Sequence, residues 1–555
     1  MSFTPNVRTK RATIRRLARA VAVLFIVGSL AGATQAASGG LDPTFGSGGL
    51  VTTAVPNRDA AIQDVALQPD GKIVAAGWLR DPAGGFPLAL SFLVARYNVD
   101  GTLDASFGSG GLVTATVGSS SAATAVAIQA DGKIVAGGLT LSFPGTFALA
   151  RFNTDGTLDS TFGSGGKVVT DSGFSTAIHD IGLQADGKIV VGGGNSDAGD
   201  ARNFMVARYQ TNGVLDSTFG SGGISHTNFF GRGGLALGLA IQPDGKIVEV
   251  GVTGLTSYPF DAFGLVRFNS DGTLDTTFGA GGKVTTGFGG GGRGWDVVVQ
   301  PDGKLVAAGV AFSNSAQGGF GLARYNVDGS PDTSFGDNGT VLTLNAGMAR
   351  AVALQSDGKI VAAGDHVTPT FSGDFAVARY RSDGSPDSAF GSGGIVTTDF
   401  GASEAANGVA IQSDGKIVAG GVVSSTGNAS MGLARYLGAD STPPELSVSV
   451  TPNVLRPPNH KYVAVHATVS ATDDSGVDPA VELVSVTSNE PDNAPGDADG
   501  NTTNDIVRLD DYTFNLRAER NENASGRIYT IIYLATDASG NTATQSATLM
   551  VPISP

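Results

Sequence analysis

Asp64, Asp180 and Asp296, with His179, Trp295 and Arg350 beside them, are the side chains of this 555-residue chain whose types and spacing could do chemistry. They hold corresponding places in a repeat. Counting back five residues from a recurrent Gln gives Gln63, Thr124, His179, Leu237, Trp295, Arg350 and Asn407. Counting back four gives Asp64, Ala125, Asp180, Gly238, Asp296, Ala351 and Gly408. Gathered at the mouth of one opening, three carboxylates, an imidazole, an indole and a guanidinium could hold a sugar or a cation. The indole would stack on the sugar face while the carboxylates accept its hydroxyls. An acid pair such as Asp180 with Asp296 would instead suit glycoside hydrolysis, where the carboxyl separation decides the outcome and sequence does not set it. The plainer alternative is that these positions are solvated loops or channel lining.

A second group lies near the C-terminus. Glu490, Asp492, Asp497, Asp499, Asn501 and Asp505 fall within sixteen residues of a loop rich in Gly and Pro. They offer the hard oxygen ligands that Ca²⁺ prefers, with Asp497-x-Asp499-x-Asn501 and Asp505 the most ligand-like spacing. The alternative is a solvated acidic loop. Asn98-x-Asp100-Gly101-x-x-Asp104 and its counterparts also look like part of a calcium loop. They lack a terminal bidentate Glu, and turn formation is reason enough for their Asp-Gly pairs.

The elements that must position the first group come from seven copies of one phrase. Each copy reads Leu-Asp-x-x-Phe-Gly, then Gln-x-Asp-Gly-Lys-Ile-Val, then Ala-Arg-Tyr/Phe, with small deviations. The Phe falls at Phe45, Phe107, Phe162, Phe219, Phe278, Phe335 and Phe390, a period of 55 to 62 residues. The Arg falls at Arg96, Arg151, Arg208, Arg267, Arg324, Arg379 and Arg435. Such a period signals a repeat architecture. Asp-Gly between short apolar runs, as at Asp131-Gly132, predicts a tight hairpin. Phe147-Ala-Leu-Ala-Arg151-Phe152 alternates as a half-buried strand does. Each unit thus reads as four antiparallel strands, here a, b, c and d. Repeated radially they make a β-propeller, with a linear solenoid as the alternative. Phase favours the ring. The array opens with a spare strand at Gly49-Leu-Val-Thr-Thr53 and stops after strand c at Leu433-Ala-Arg435-Tyr436, so pairing the two would complete a seventh blade.

These phrases resemble the delta-60 repeat family of bacterial β-propellers over about residues 41–436. The resemblance implies the fold and export, and no established chemistry. Within each copy the a–b and c–d turns are constant, while the d–a and b–c loops vary. The two kinds lie on opposite faces of a propeller, and a unique ligand would be read on the variable one.

The remaining residues frame this array. Residues 1–36 read as a signal peptide: six basic residues and no acidic ones, then the apolar run Ala20–Leu30, then small residues to Ala36. That run is short for a membrane span, so no span is expected in the mature chain. Removing the six basic charges takes the net charge from −15 to −21, which disfavours nucleic acid as a partner. With no Cys, the chain has neither disulfides nor thiolate metal sites. The five His stand in no zinc-protease spacing, and no Gly-x-Ser-x-Gly elbow is present. The expected domains are the signal peptide (1–36), a seven-bladed propeller (37–439), a linker (440–444) and a sandwich resembling bacterial immunoglobulin-like modules (445–555). The expected function is that of an exported, monomeric, non-catalytic binding or surface-interaction protein for a glycan or a protein. It would need no cofactor beyond Ca²⁺ in the C-terminal unit. An extracellular polysaccharide hydrolase or lyase and a structural spacer are the alternatives.

Overall fold

The computed structural model describes residues 38–552, apart from residues 82–88, 143, 174, 197–201, 230–232, 255–261, 315–316, 345, 368–372, 426–427, 439–442, 474–477, 493–501, 522–525 and 538–540. Residues 50–436 form seven four-stranded antiparallel sheets. Six are consecutive in sequence; blade 1, for example, is Asp59–Leu67 (a), Ile73–Arg80 (b), Leu90–Tyr97 (c) and Leu112–Ala115 (d). The seventh takes strands a to c from Ser403–Ile411, Ile417–Ser425 and Asn428–Tyr436, and strand d from Leu50–Thr53. Leu50 lies opposite Ala434 and Thr53 opposite Met431, so the spare strand does close the ring.

The constant residues explain why the units repeat. In the a–b turn of blade 1, Gly71 adopts φ +82°, its N–H bonds the Gln68 carbonyl, and Asp70 Oδ1 accepts the Lys72 N–H. A left-handed turn residue costs Gly little, which is why Asp-Gly recurs there. In the c–d turn, Arg96 Nε donates to Asp104 Oδ2 at 2.8 Å while its guanidinium lies over the buried Phe107 ring at 4.5 Å. Lys72 Nζ adds a contact to the same carboxylate at 3.0 Å. Arg96 Nη1 then reaches the Thr154 carbonyl of blade 2 at 2.6 Å. Arg151, Arg208, Arg267 and Arg324 reach forward in the same way, and Arg435 does so from blade 7 to Val99 of blade 1. Each Arg of the phrase therefore pairs with the Asp of the phrase, and these six fasten a blade to the next. The carboxylates of Asp100 and Asp104, read above as calcium-like, are committed to Thr102 and to Ser106, Arg96 and Lys72.

Residues 445–551 form two sheets, of four strands (445–451, 462–472, 513–517, 506–508) and three (480–488, 527–536, 542–551). They pack face to face around Val465, Phe514 and Leu516 from one and Tyr529, Ile531 and Tyr533 from the other, all fully buried. Among the described residues no helix is long and apolar enough to cross a membrane.

Candidate functional site

Strand a lines the axial channel, and all seven copies carry a β-bulge at one place. The pairing with strand b skips a residue between Ile62 and Asp64, Ala123 and Ala125, Ile178 and Asp180, Ala236 and Gly238, Gly294 and Asp296, Ala349 and Ala351, and Ala406 and Gly408. The skipped residues are the first column found in the sequence; the residues that follow are the second. They sit well inside strand a and not at the channel mouth, because a bulge needs paired strand on both sides of it.

A bulge leaves a backbone N–H unpaired in the ladder, and the second column answers this with carboxylates. Asp64 accepts the N–H of Val65 at 2.7 Å and, across the blade boundary, that of Val126 at 2.8 Å. Asp180 does the same for Ile181 and Leu239, and Asp296 for Val297 and Val352. Blades 1, 3 and 5 thus each carry an Asp that satisfies its own blade and the next one. Blades 2, 4 and 6 carry Ala125, Gly238 and Ala351 at this column, and a Cβ on Gly238 would stand 2.7 Å from Asp296 Cα of blade 5. Seven is odd, so the seventh copy, Gly408, packs directly on Asp64 and has no carboxylate from blade 6.

The first column does related work. Thr124 donates to the Ile178 carbonyl of blade 3 at 2.6 Å, and Asn407 to the Ile62 carbonyl of blade 1 at 2.8 Å. Arg350 lays its guanidinium over the Trp295 ring at 5.6 Å and holds Asp365 at 3.5 Å. One face of the indole is therefore occupied. Of the six candidate residues, the structure brings Trp295 and Arg350 into contact and sets the three carboxylates around one channel.

The electrostatics follow from burial. Desolvation pushes Asp64 up to about 6 and Asp296 up to about 7, against the two N–H bonds each accepts. Asp180 is raised well above the usual range by desolvation and then by the neighbouring charges of Asp296 and Asp64. Desolvation pushes His179 down to about 4, which leaves it neutral at physiological pH. On the variable face, a depression between blades 2 and 3 is lined by Ser142, Ser175, Thr176 and His179. Among the described residues the buried Thr176 hydroxyl there has no hydrogen-bond partner.

Two groups escaped the sequence reading. Glu249 is fully buried in strand b of blade 4, where the other copies carry Ala75, Ala136, Val191, Ala307, Ala362 and Ala419. It accepts the Gly193 N–H of blade 3 and is pushed well above its ordinary value by desolvation. Asp374, Asp399 and Glu404 gather on the variable face between blades 6 and 7. Comparing the copies at every column would have exposed both glutamates.

In the C-terminal unit, Glu490 and Asp505 are buried against the guanidinium of Arg527, which is itself fully buried. Asp492 accepts the N–H groups of Asn504 and Asp505. Asp497, Asp499 and Asn501 lie outside the described residues.

Comparison with known proteins places this architecture. The family described as "Domain of unknown function (DUF5122) beta-propeller" matches residues 68–107, 129–162, 184–219, 242–278, 300–335, 355–390 and 412–442. The chain belongs to this β-propeller repeat family, with all seven repeats between residues 68 and 442. A search of curated proteins found no match. Among solved structures, a protein of unknown function from Dyadobacter fermentans is similar at 10% identity and TM-score 0.38, over 70% of this chain and 99% of its own. An ulvan lyase described as a polysaccharide lyase is similar at 11% identity and TM-score 0.39, over 70% and 95%. A xylan β-1,4-xylosidase from Bacillus halodurans is similar at 11% identity and TM-score 0.27, over 69% and 96%. Likeness at this level carries no conclusion about activity.

Proposed function

We propose that the protein is an exported, non-catalytic binding module that reads a glycan with the variable face of its propeller. The observation that carries this reading is the commitment of the channel carboxylates. Both oxygens of Asp64, Asp180 and Asp296 accept backbone N–H groups, so these acids hold blades together. General acid–base work needs a carboxyl within hydrogen-bond reach of a substrate proton. The depression at Ser142, Ser175, Thr176 and His179 instead offers hydroxyls and a neutral imidazole, groups that pair with sugar hydroxyls. Export rests on the N-terminal residues 1–36, and the C-terminal sandwich, which resembles immunoglobulin-like modules in sequence, would serve as the spacer. A glycan array probed with the chain from residue 37 onward is expected to give saccharide binding. That binding should be lost in Thr176→Val and His179→Ala, with thermal stability nearly unchanged. An array with no saccharide signal would overturn the glycan reading.

One observation favours the polysaccharide-active alternative: the raised titration of Asp64, Asp180 and Asp296, since perturbed carboxyls cluster at catalytic sites. Release of reducing ends or unsaturated products from acidic or neutral polysaccharides, abolished in Asp180→Asn, would establish it.

A further inference from the structure

We propose that Asp374, Asp399 and Glu404 form a divalent-cation site of the Ca²⁺ type, which clamps blade 6 to the loop entering blade 7. Asp374 is the second residue of strand c of blade 6 (Gly373–Tyr380), Asp399 follows its strand d (Ile395–Thr398), and Glu404 lies in strand a of blade 7. One oxygen from each lies within 4.8 Å of the others. Oxygens bound to one Ca²⁺ sit at about 2.3–2.6 Å from it, so opposite ligands stand about 4.6–5.2 Å apart. The separation therefore fits one ion between three carboxylates.

A separate observation points to a ligand. Glu404 is only 2% exposed, and among the described residues its buried Oε2 has no hydrogen-bond partner. Its Oε1 is already used by the Ala402 N–H at 2.6 Å, and Asp399 Oδ1 by the Gly401 N–H at 2.5 Å. Among the described residues no salt bridge links any of the three to a cationic side chain. An unpaired buried carboxylate oxygen is costly, and a bound cation removes that cost. The corresponding positions of the other blades hold Ala60, Ser121, Thr176, Gly234, Gly292 and Gly347, so the acid belongs to this blade junction alone. Asp374 is half-buried and Asp399 exposed, which leaves room for the waters that complete a Ca²⁺ shell.

Calorimetric titration of the EDTA-treated full chain with CaCl2 tests this, read together with thermal melting. Wild type is expected to bind Ca²⁺ at this site and to melt several degrees higher with it. Asp399→Ala, an exposed change that leaves folding intact, should lower the stoichiometry by one ion and abolish that gain; Asp374→Asn should do likewise. Asp497→Ala with Asp499→Ala should leave both effects in place, which separates this site from the C-terminal loop. No binding at millimolar CaCl2, or equal stoichiometry in wild type and Asp399→Ala, would overturn the proposal.

Discussion

Asp180 shows how one residue can suggest chemistry by type and serve architecture by position. Its two oxygens cover N–H groups in two blades, while its surroundings resist its charge. This has a consequence for pH. A carboxyl raised in the folded state contributes nothing to the pH dependence below about 4, where both states are protonated. As pH rises, the unfolded chain ionises first, so stability is lost across about pH 4 to 7. Asp64 at about 6, Asp296 at about 7, and the raised Asp180 and Glu249 all act in this direction. His179, down at about 4, opposes them between about pH 6.5 and 4. The c–d turn carboxylates such as Asp216, held far below the usual range, lose their contribution only below about pH 4. With four carboxyls against one imidazole, the melting temperature should fall from pH 5 to pH 8, and less steeply in Asp180→Ala. A melting temperature that rises over that range would refute this account.

Strands and turns are the next scale, and there the constant phrase carries the stability. In blade 3, Arg208 holds Asp216 at 2.8 Å, lies over Phe219 at 4.6 Å and reaches the Ser270 carbonyl of blade 4. Asp216 is fully buried, so Arg208→Ala leaves its charge to Lys188 at 3.1 Å and should cost about 3 kcal/mol. Urea denaturation would measure it, and a loss below about 1 kcal/mol would count against the role. These elements were legible because each residue's partner is local or is repeated seven times. The columns of candidate residues were equally visible in the sequence. Their use as links between blades was not, since it depends on which N–H groups the bulges leave facing a neighbour. Acids close together in sequence misled in a different way at Glu490 and Asp505. Their partner, Arg527, stands 37 and 22 residues further on, so a spacing argument could not reach it.

For the whole molecule, closure rests on a strand of four residues. Leu50–Thr53 pairs with strand c of blade 7, and Asp42, just before it, accepts from Arg435 at 2.9 Å. Blade 7 has no c–d turn of its own, so Ser38 fills the place before it, bonding Arg379 and the Gly391 N–H. Among the described residues Arg379 Nη1 has no partner, where the other six arginines reach a carbonyl. Deleting residues 38–53 should leave strand c of blade 7 with an open edge, a template for pairing with another chain. Size-exclusion chromatography should then show dimers or aggregates, and a well-behaved monomer would argue against closure as the main restraint.

That clasp also decides how the propeller is displayed. The Gly39 N–H bonds the Leu437 carbonyl at 2.9 Å, so the polypeptide enters and leaves the ring at a single point, on the side of the constant turns. Any tether attached at either end pulls from that side. The propeller then hangs from one stem like a flower head, with its variable loops on the face opposite the point of attachment.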